Sequence, residues 1–471
     1  MQGGAHEGGA CALASDSRPV NRGLVFTIVA LALMMMSVDT TIVATALDTL
    51  QQALRTSINW AGWTITAYSF GYVVMLPVSG ELSDRWGDRK VFFGSVIAFT
   101  LASLGCGLAD NIYVLVALRA VQAAGGAGFT PSATALIVDH FGDERDRAVG
   151  LFGSIFSIGA MIGPIFGGLF VTYWTWRGIF FVNIPLGVAV VALGLRYIPR
   201  DRPKEQEKQS RIDSMGMAQL GIGLVSGMLA ASYLGEPHAH LLSPMFLVSS
   251  IVAIAALWAF FRHINRRAHP FITPHLIYGE GFGAVNLVNA SLGGITSGAV
   301  ALVPLYATER YGLNALDAST LLVAQGIAAI ILSIVAALIL RRTGYHRPLY
   351  VGGAVIIAGL ILLALSPAGG ISPYVWLACS AFLVGAGSGT INPATRNAGL
   401  QLEPERSSTL AALRSMSMQI GTIAMVTIAT AILATSRRPG VVQAGIFFVS
   451  ALLLMASLSL IGRVPEHHGS W

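Results

Sequence analysis

From Leu24 almost to the C-terminus the chain repeats one pattern: an apolar run of about 18 residues or more, a short polar break, then another run. Each run is long enough to cross a hydrocarbon core of about 30 Å as a helix. A soluble fold could not bury so much apolar surface. Only 11% of the residues are charged and 54% are hydrophobic, against roughly a quarter charged in an ordinary soluble domain. The runs are too long for barrel strands and do not alternate polar with apolar, which excludes a membrane β-barrel. The sequence predicts an all-α integral membrane protein.

Fourteen runs can be delimited: approximately 24–47, 60–80, 91–109, 112–136, 148–172, 179–198, 214–234, 243–261, 281–307, 315–340, 348–367, 372–395, 407–435 and 441–462. With the N-terminus in the cytoplasm, the inside segments hold 22 Lys and Arg and the outside loops hold 5, while Arg119 and Arg414 fall within runs. A miscounted run would scramble this asymmetry, so the positive-inside rule supports fourteen helices with both termini inside; the expected location is the cell inner (plasma) membrane. The basic, glycine-containing loop at 80–90 has a counterpart at 341–347, which suggests two six-helix halves with the runs at 214–234 and 243–261 inserted between them. The expected organisation is a cytoplasmic tail (1–23), a six-helix bundle (24–198), a polar linker with two inserted helices (199–280), a second six-helix bundle (281–462) and a cytoplasmic tail (463–471). Repeated halves around a central site are the usual architecture of secondary transporters.

The net charge of +6 does not point to nucleic acid, because the basic residues sit in short loops. Cys11, Cys106 and Cys379 form no spaced pair, so neither a disulfide framework nor a metal site is indicated. Ala44-Thr45-Ala46 resembles a cleavage site, but the run before it exceeds the length of a signal peptide and reads as a retained helix. There is no GxxxxGK[ST] loop for ATP, no His/acid cluster within the runs and no nucleophile motif. The expectation is a non-enzyme without a cofactor or metal, whose partners are the lipid bilayer and a small-molecule substrate, working as a monomer.

Three stretches carry more specific information. In GELSDRWGDRK (80–90), Gly80 can end one helix and Gly87 can make a tight turn. Asp84 can cap the next helix or pair with a cation, and Arg85, Arg89 and Lys90 stay at the membrane surface; a plain basic loop would need neither glycine. Gly150, Gly159, Gly163, Pro164, Gly167 and Gly168 form a glycine-rich helix face that allows close helix approach, with a proline that removes a backbone hydrogen bond and bends the helix. An ordinary packing kink needs fewer glycines. Arg119 and Gln122 lie three residues apart in the fourth run.

On these residues the sequence resembles the major facilitator superfamily, in particular its fourteen-span drug–proton antiporters. The 80–90 loop is similar to the superfamily's loop signature, Arg119-Ala-Val-Gln122 to its Arg-x-x-Gln motif, and the 150–168 glycines to the antiporter motif of its exporters. Asp39-Thr-Thr and WRGIFFVNIPLG (176–187) also resemble this branch. The resemblance implies a proton-driven exporter of lipophilic or amphipathic compounds working by alternating access, of the kind that confers multidrug efflux and antibiotic resistance.

Asp39 is the only acid well inside a run. An ionised side chain at that depth costs about 2.5–3.5 kcal/mol even on lenient insertion scales, so it needs a partner or a reason to be protonated. At 1.5 Å per residue, Asp39 lies about 5 Å, and Arg119 about 7 Å, to the outer side of their helix midpoints. They reach the same layer from opposite directions. Asp39 is the candidate proton carrier and Arg119 its partner; a static ion pair that only aligns helices is the alternative.

For the substrate path, Asn286, Asn289, Gly293 and Ser297 form a polar stripe on the ninth helix. Asn286 and Asn289, together with Gln325, Asn392, Met35, Tyr68 and Tyr72, are the candidate lining residues. With so few intramembrane charges, neutral, zwitterionic or singly charged solutes are favoured. Other readings are an exporter dedicated to one endogenous metabolite, lipid, siderophore or antibiotic, and a transport-inactive sensor or scaffold.

Overall fold

A computed structural model describes residues 21–199 and 213–466, apart from 57, 235–239, 269, 271, 314, 368, 435 and 437. Most of both tails and the polar linker at 200–212 therefore lie outside the described residues. Within them the chain is helical, without strands. Fourteen long helical segments follow in order: α1 (Arg22–Ile42), α2 (Ile58–Trp86), α3 (Asp88–Leu108), α4 (Ile112–Phe141), α5 (Arg145–Tyr173), α6 (Gly178–Tyr197), α7 (Ser214–Leu234), α8 (Pro244–Ile264), α9 (Phe282–Ala301 and Val303–Tyr311), α10 (Ala315–Thr343), α11 (His346–Ala364), α12 (Pro373–Asn397), α13 (Ser407–Ala434) and α14 (Pro439–Ser457).

Ten of these are long and apolar enough to cross a membrane, or eleven if α9, bent by 40° between its two parts, counts as one span. The other three, α2, α7 and α13, have comparable lengths. The outer faces carry exposed apolar side chains such as Leu101, Val188, Ile254 and Leu453, which suits contact with lipid. Trp60, Trp86, Trp174 and Trp258 are also exposed, as expected for residues anchored at a membrane–water boundary.

Among the described residues, three buried clusters hold the bundle together: a small one around Ile42, Leu115, Trp176 and Phe180, and two larger cores. One gathers residues from Val25 to Ile198, with side chains of the inserted segment and Leu400, Leu410 and Leu413. The other runs from Val285 to Val464. Within each half the same crossings recur, made by backbone on backbone. A Cβ at Gly71 (α2) would stand 2.1 Å from the Ala120 carbonyl oxygen (α4), and one at Gly385 (α12) would stand 2.1 Å from that of Gln325 (α10). Gly163 of α5 lies against Val38 and Thr41 of α1, and Gly421 of α13 against Ala290 of α9. Small residues permit this approach where lipid tails offer no competing hydrophobic drive.

The inserted α7 packs on α8 and touches α2 and α13. Its start is tied down by Asp213, whose carboxylate accepts from the Gly216 amide at 3.0 Å, from His263 at 2.8 Å and from Arg267 at 3.1 Å. Burial pushes this carboxyl up, but the amide, His263 and Arg267 outweigh burial and hold it below its usual value. A depressed carboxylate stabilises the fold above its ordinary pKa and loses that contribution as pH falls through the folded value. The melting-temperature gap between the wild type and Asp213→Asn is thus expected to be full at neutral pH and to shrink below about pH 4.

Candidate functional site

Asp39 and Arg119 meet. Both are buried, at 0% and 1% exposure, and Arg119 Nη1 donates to Asp39 Oδ2 at 2.7 Å. Two amides complete the shell of the other carboxylate oxygen: Gln122 Nε2 at 3.0 Å and Asn183 Nδ2 at 2.9 Å. Both amides also donate to Ser103 Oγ, at 2.7 Å and 3.3 Å. Arg119 further donates to Gln122 Oε1 at 2.7 Å and the Thr64 carbonyl at 3.4 Å. Its guanidinium stacks on Tyr68 at 4.3 Å and Phe180 at 5.6 Å. Five helices, α1, α2, α3, α4 and α6, thus converge on one carboxylate. Every polar neighbour that faces it donates a hydrogen bond, which fits the ionised form of the acid.

Arg119 and Gln122 share this face because i and i+3 lie on the same side of a helix. Asn183 sits within the 176–187 motif, and Ser103 is one of several hydroxyls on α3. Sequence reasoning assigned neither to the site; the motif membership of Asn183 was the available signal.

The 80–90 segment works across the molecule. Contrary to the reading from sequence, Gly80 does not end its helix: α2 continues to Trp86. A Cβ at Gly80 would lie 3.1 Å from Thr409 Cα and Ala412 Cβ of α13. Asp84 does not cap the helix that follows it: Ser408 and Thr409, in the first turn of α13, donate to its carboxylate. An anion is favoured at a helix N-terminus by the exposed amides and the dipole. Asp88 takes the local role at the start of α3, accepting from Ser83 at 2.5 Å. Gly87 makes the one-residue turn with φ of 97°, a conformation other residues rarely adopt. Arg89 reaches the carbonyls of Ile198 and Leu195 at the end of α6, at 3.0 and 3.2 Å, while Arg85 and Lys90 are exposed.

Further ties between the halves cluster at the same end. Asn397 donates to the Asp146 carbonyl, Gln401 to the Asp146 carboxylate, and Arg145 to Gln401. A Cβ at Gly150 would meet Pro393 and Ala337. This end of the bundle is closed. Removing the Asp84 carboxylate takes away two hydrogen bonds to a charged group, each worth about 1.5–3 kcal/mol. Together they are worth about 3–6 kcal/mol, so Asp84→Ala is expected to raise the open population by at least ~100-fold. A cysteine placed at Thr134 in a cysteine-free chain should then be alkylated faster by a similar factor.

In α5, Gly159 and Gly163 face α1, where Ser37 donates to the Phe156 carbonyl at 2.6 Å. Gly167 is buried and Gly168 exposed. The side chain of Pro164 lies outside the described residues, and the helix runs unbroken from Arg145 to Tyr173.

The expected lining residues divide. Met35 is fully buried in the first core, and Tyr68 serves as the platform under Arg119. Tyr72 is half-buried against the first core. Asn286 bonds the carbonyls of Leu276 and Ile277, both at 3.0 Å, and so braces the connector before α9. Gln325 is half-buried and lends its backbone to the α10–α12 crossing. Asn392 lies between the halves, beside Gly153, and accepts from Arg414 at 3.3 Å. Asn289 is buried with both amide atoms unpartnered, at the start of a π-helical stretch, Asn289–Ile295. That stretch shifts the register of α9 and breaks the regular stripe read from the sequence. Single π-helical turns are rare and concentrate at functional sites.

Two helical halves closed against each other, with a charged network buried inside one of them, define a membrane carrier; a metal-ligating cluster is absent among the described residues. Residues 29–425 match the Major Facilitator Superfamily, and the chain belongs to that family: it is a multi-pass membrane transporter and not an enzyme, and members of the family bind small molecules within the membrane. It is 30% identical over 394 residues to the multidrug resistance protein B homolog of Mycobacterium tuberculosis (strain H37Rv), covering 83% of this chain and 72% of that one. It is 28% identical over 352 residues to the multidrug transporter protein MdtP of Bacillus subtilis, covering 74% of this chain and 64%, under two thirds, of the relative. The fold is also that of the human organic anion transporter MFSD10, with a TM-score of 0.67 over 94% of this chain and 99% of the other; at 15% identity this likeness concerns the fold alone.

Proposed function

We propose that the chain is a proton-coupled antiporter that exports lipophilic or amphipathic small molecules across the plasma membrane by alternating access. In this reading all fourteen helices span the bilayer, both termini are cytoplasmic, and the closed end is the cytoplasmic one. The observation that carries it is the Asp39 network: a fully buried carboxylate held by Arg119, Gln122 and Asn183. The names of the multidrug-resistance relatives support the direction of transport and the broad substrate class.

The cycle follows from the charges. With the cytoplasmic end closed, the ionised Asp39 awaits a proton from outside. Protonation cancels its attraction to Arg119 and frees the amides, loosening the contact of α1 with α4 and α6. The halves then rock, the proton leaves inward, and the carboxylate recaptures Arg119. One charge falling through 100 mV supplies about 2.3 kcal/mol, enough to hold a gradient of tens-fold. α2 and α13 meet at the half–half crossing, and the substrate passes between the halves.

The test is transport by the purified chain in proteoliposomes under an imposed proton gradient, against a chemically diverse panel of compounds. Uphill movement of at least one compound, with matching proton counterflow and collapse on adding a protonophore, is the expected result. Movement indifferent to the gradient would overturn the proposal.

A further inference from the structure

Arg119 has a carboxylate; among the described residues, Arg414 and the half-buried Arg396 have none. Arg414 of α13 is 9% exposed and donates only to neutral acceptors, Asn392 Oδ1 at 3.3 Å and Thr395 Oγ1 at 3.2 Å, while its Nε is buried without a partner. Arg396 was expected from sequence in a surface loop, but it belongs to the last turn of α12. It is half-buried, its Nε is also buried without a partner, and its guanidinium lies over Phe152 at 6.0 Å and Phe156 at 5.3 Å. Neither arginine is paired with a carboxylate among the described residues. Both line one cavity with Thr130, Thr134, Val149 and Ala411.

Two like charges beside one small cavity, each with an unpartnered buried Nε, are costly unless an anion visits them. The helix contacts do not explain the arrangement, since Arg414 makes only long bonds to neutral acceptors on α12. The cavity walls come from both halves: α4 and α5 on one side, α12 and α13 on the other. In this closed state its volume is about 10 Å³, room for one water or a monatomic ion. Separation of the halves must widen it. Guanidinium forks match carboxylates in two-pronged geometry, and the rings of Phe152 and Phe156 offer an apolar surface beside them.

We propose that Arg396 and Arg414 form an anion site on the pathway between the halves that takes the carboxylate of an exported solute with an apolar body. This rests on the half–half interface being the transport path, and it narrows the substrate class to monoanionic amphipaths.

Binding to the purified full-length protein in detergent, followed by its melting temperature at constant ionic strength, tests the site without requiring proton coupling. The probes are sodium bromide, benzoate, 1-naphthoate and the neutral isostere 1-naphthamide. The expected result is saturable stabilisation by 1-naphthoate and not by 1-naphthamide. Affinity should fall at least ~10-fold in Arg414→Gln and in Arg396→Gln, and less in Arg414→Lys, which keeps the charge without the fork. The ligand-free melting temperature of both Gln variants should equal or exceed that of the wild type, because an unpaired buried charge is removed; a purely structural arginine would lower it. Asp39→Asn mimics the protonated acid and favours separation of the halves, so it should keep saturable 1-naphthoate binding, at or above wild-type affinity, while losing coupling; failed coupling and a failed anion site thus give different patterns. Stabilisation by bromide alone would assign a small-ion site and overturn the carboxylate claim. Equal effects of naphthoate and naphthamide, no effect of any anion, or binding that survives in both Gln variants would overturn it as well.

Discussion

Asp39→Asn is expected to abolish uphill export, reducing accumulation against a gradient to the level of empty liposomes. Asparagine has nearly the shape of aspartate but carries no titratable proton. The substituted chain keeps the Gln122 and Asn183 amides and the Ser103 hydroxyl they donate to largely in place, yet it cannot alternate between a charged, Arg119-bound state and a neutral, released one. The stability consequence is separable. Removing one member of a buried ion pair strands its partner, at a cost of about 3–5 kcal/mol when nothing else satisfies it. Here Arg119 retains Gln122 Oε1, the Thr64 carbonyl and the faces of Tyr68 and Phe180, which reduces that cost. Asp39→Asn/Arg119→Gln should therefore recover melting temperature without recovering coupling. The decisive measurement is solute accumulation in proteoliposomes with simultaneous recording of internal pH. Undiminished uphill transport by Asp39→Asn would make the buried pair a static brace.

The convergence of Asp39 and Arg119 was legible because helix rise is regular and both side chains are too costly to leave unpaired in lipid. Depth along two helices sufficed to put them in one layer. Neutral residues carry no such penalty, so nothing in the sequence distinguished Ser103 from the other hydroxyls of α3. Asp84 reads in the sequence as a cap for the next helix or a partner for a cation, and neither points to Ser408 and Thr409, more than 320 residues away, which donate to it. The π-helical stretch of α9 lies where Gly294 and Gly421 bring its backbone against that of α13. A period of 3.6 could not foresee it, and the Asn286–Ser297 stripe lost its regularity there. Arg396 counted as a loop charge because the twelfth run, as delimited from sequence, ends at 395, one residue short of it, whereas α12 continues to Asn397.

The second large effect concerns a position with no polar atom of its own. Gly71→Ala would set a methyl 2.1 Å from the Ala120 carbonyl oxygen and 2.8 Å from its carbon. Those atoms are backbone and cannot swing aside, so α2 and α4 must part by about 1 Å to reach ordinary contact. Overpacking of this kind costs about 1–3 kcal/mol. The functional cost is expected to be larger, because Ala120 adjoins Arg119, while Thr64 and Tyr68, which brace the guanidinium, stand on the displaced helix. A shift of about 1 Å in a positioned charge can cost roughly 100-fold, and the loss should appear as an altered pH dependence of transport. The other half supplies the control. Gly385→Ala meets the Gln325 carbonyl oxygen at the same 2.1 Å, but its crossing holds no ion pair among the described residues. The two variants should melt at similarly lowered temperatures, with only Gly71→Ala changing the pH dependence. If both changed it equally, proton coupling would be a property of how the halves move together and would not reside in the network around Asp39.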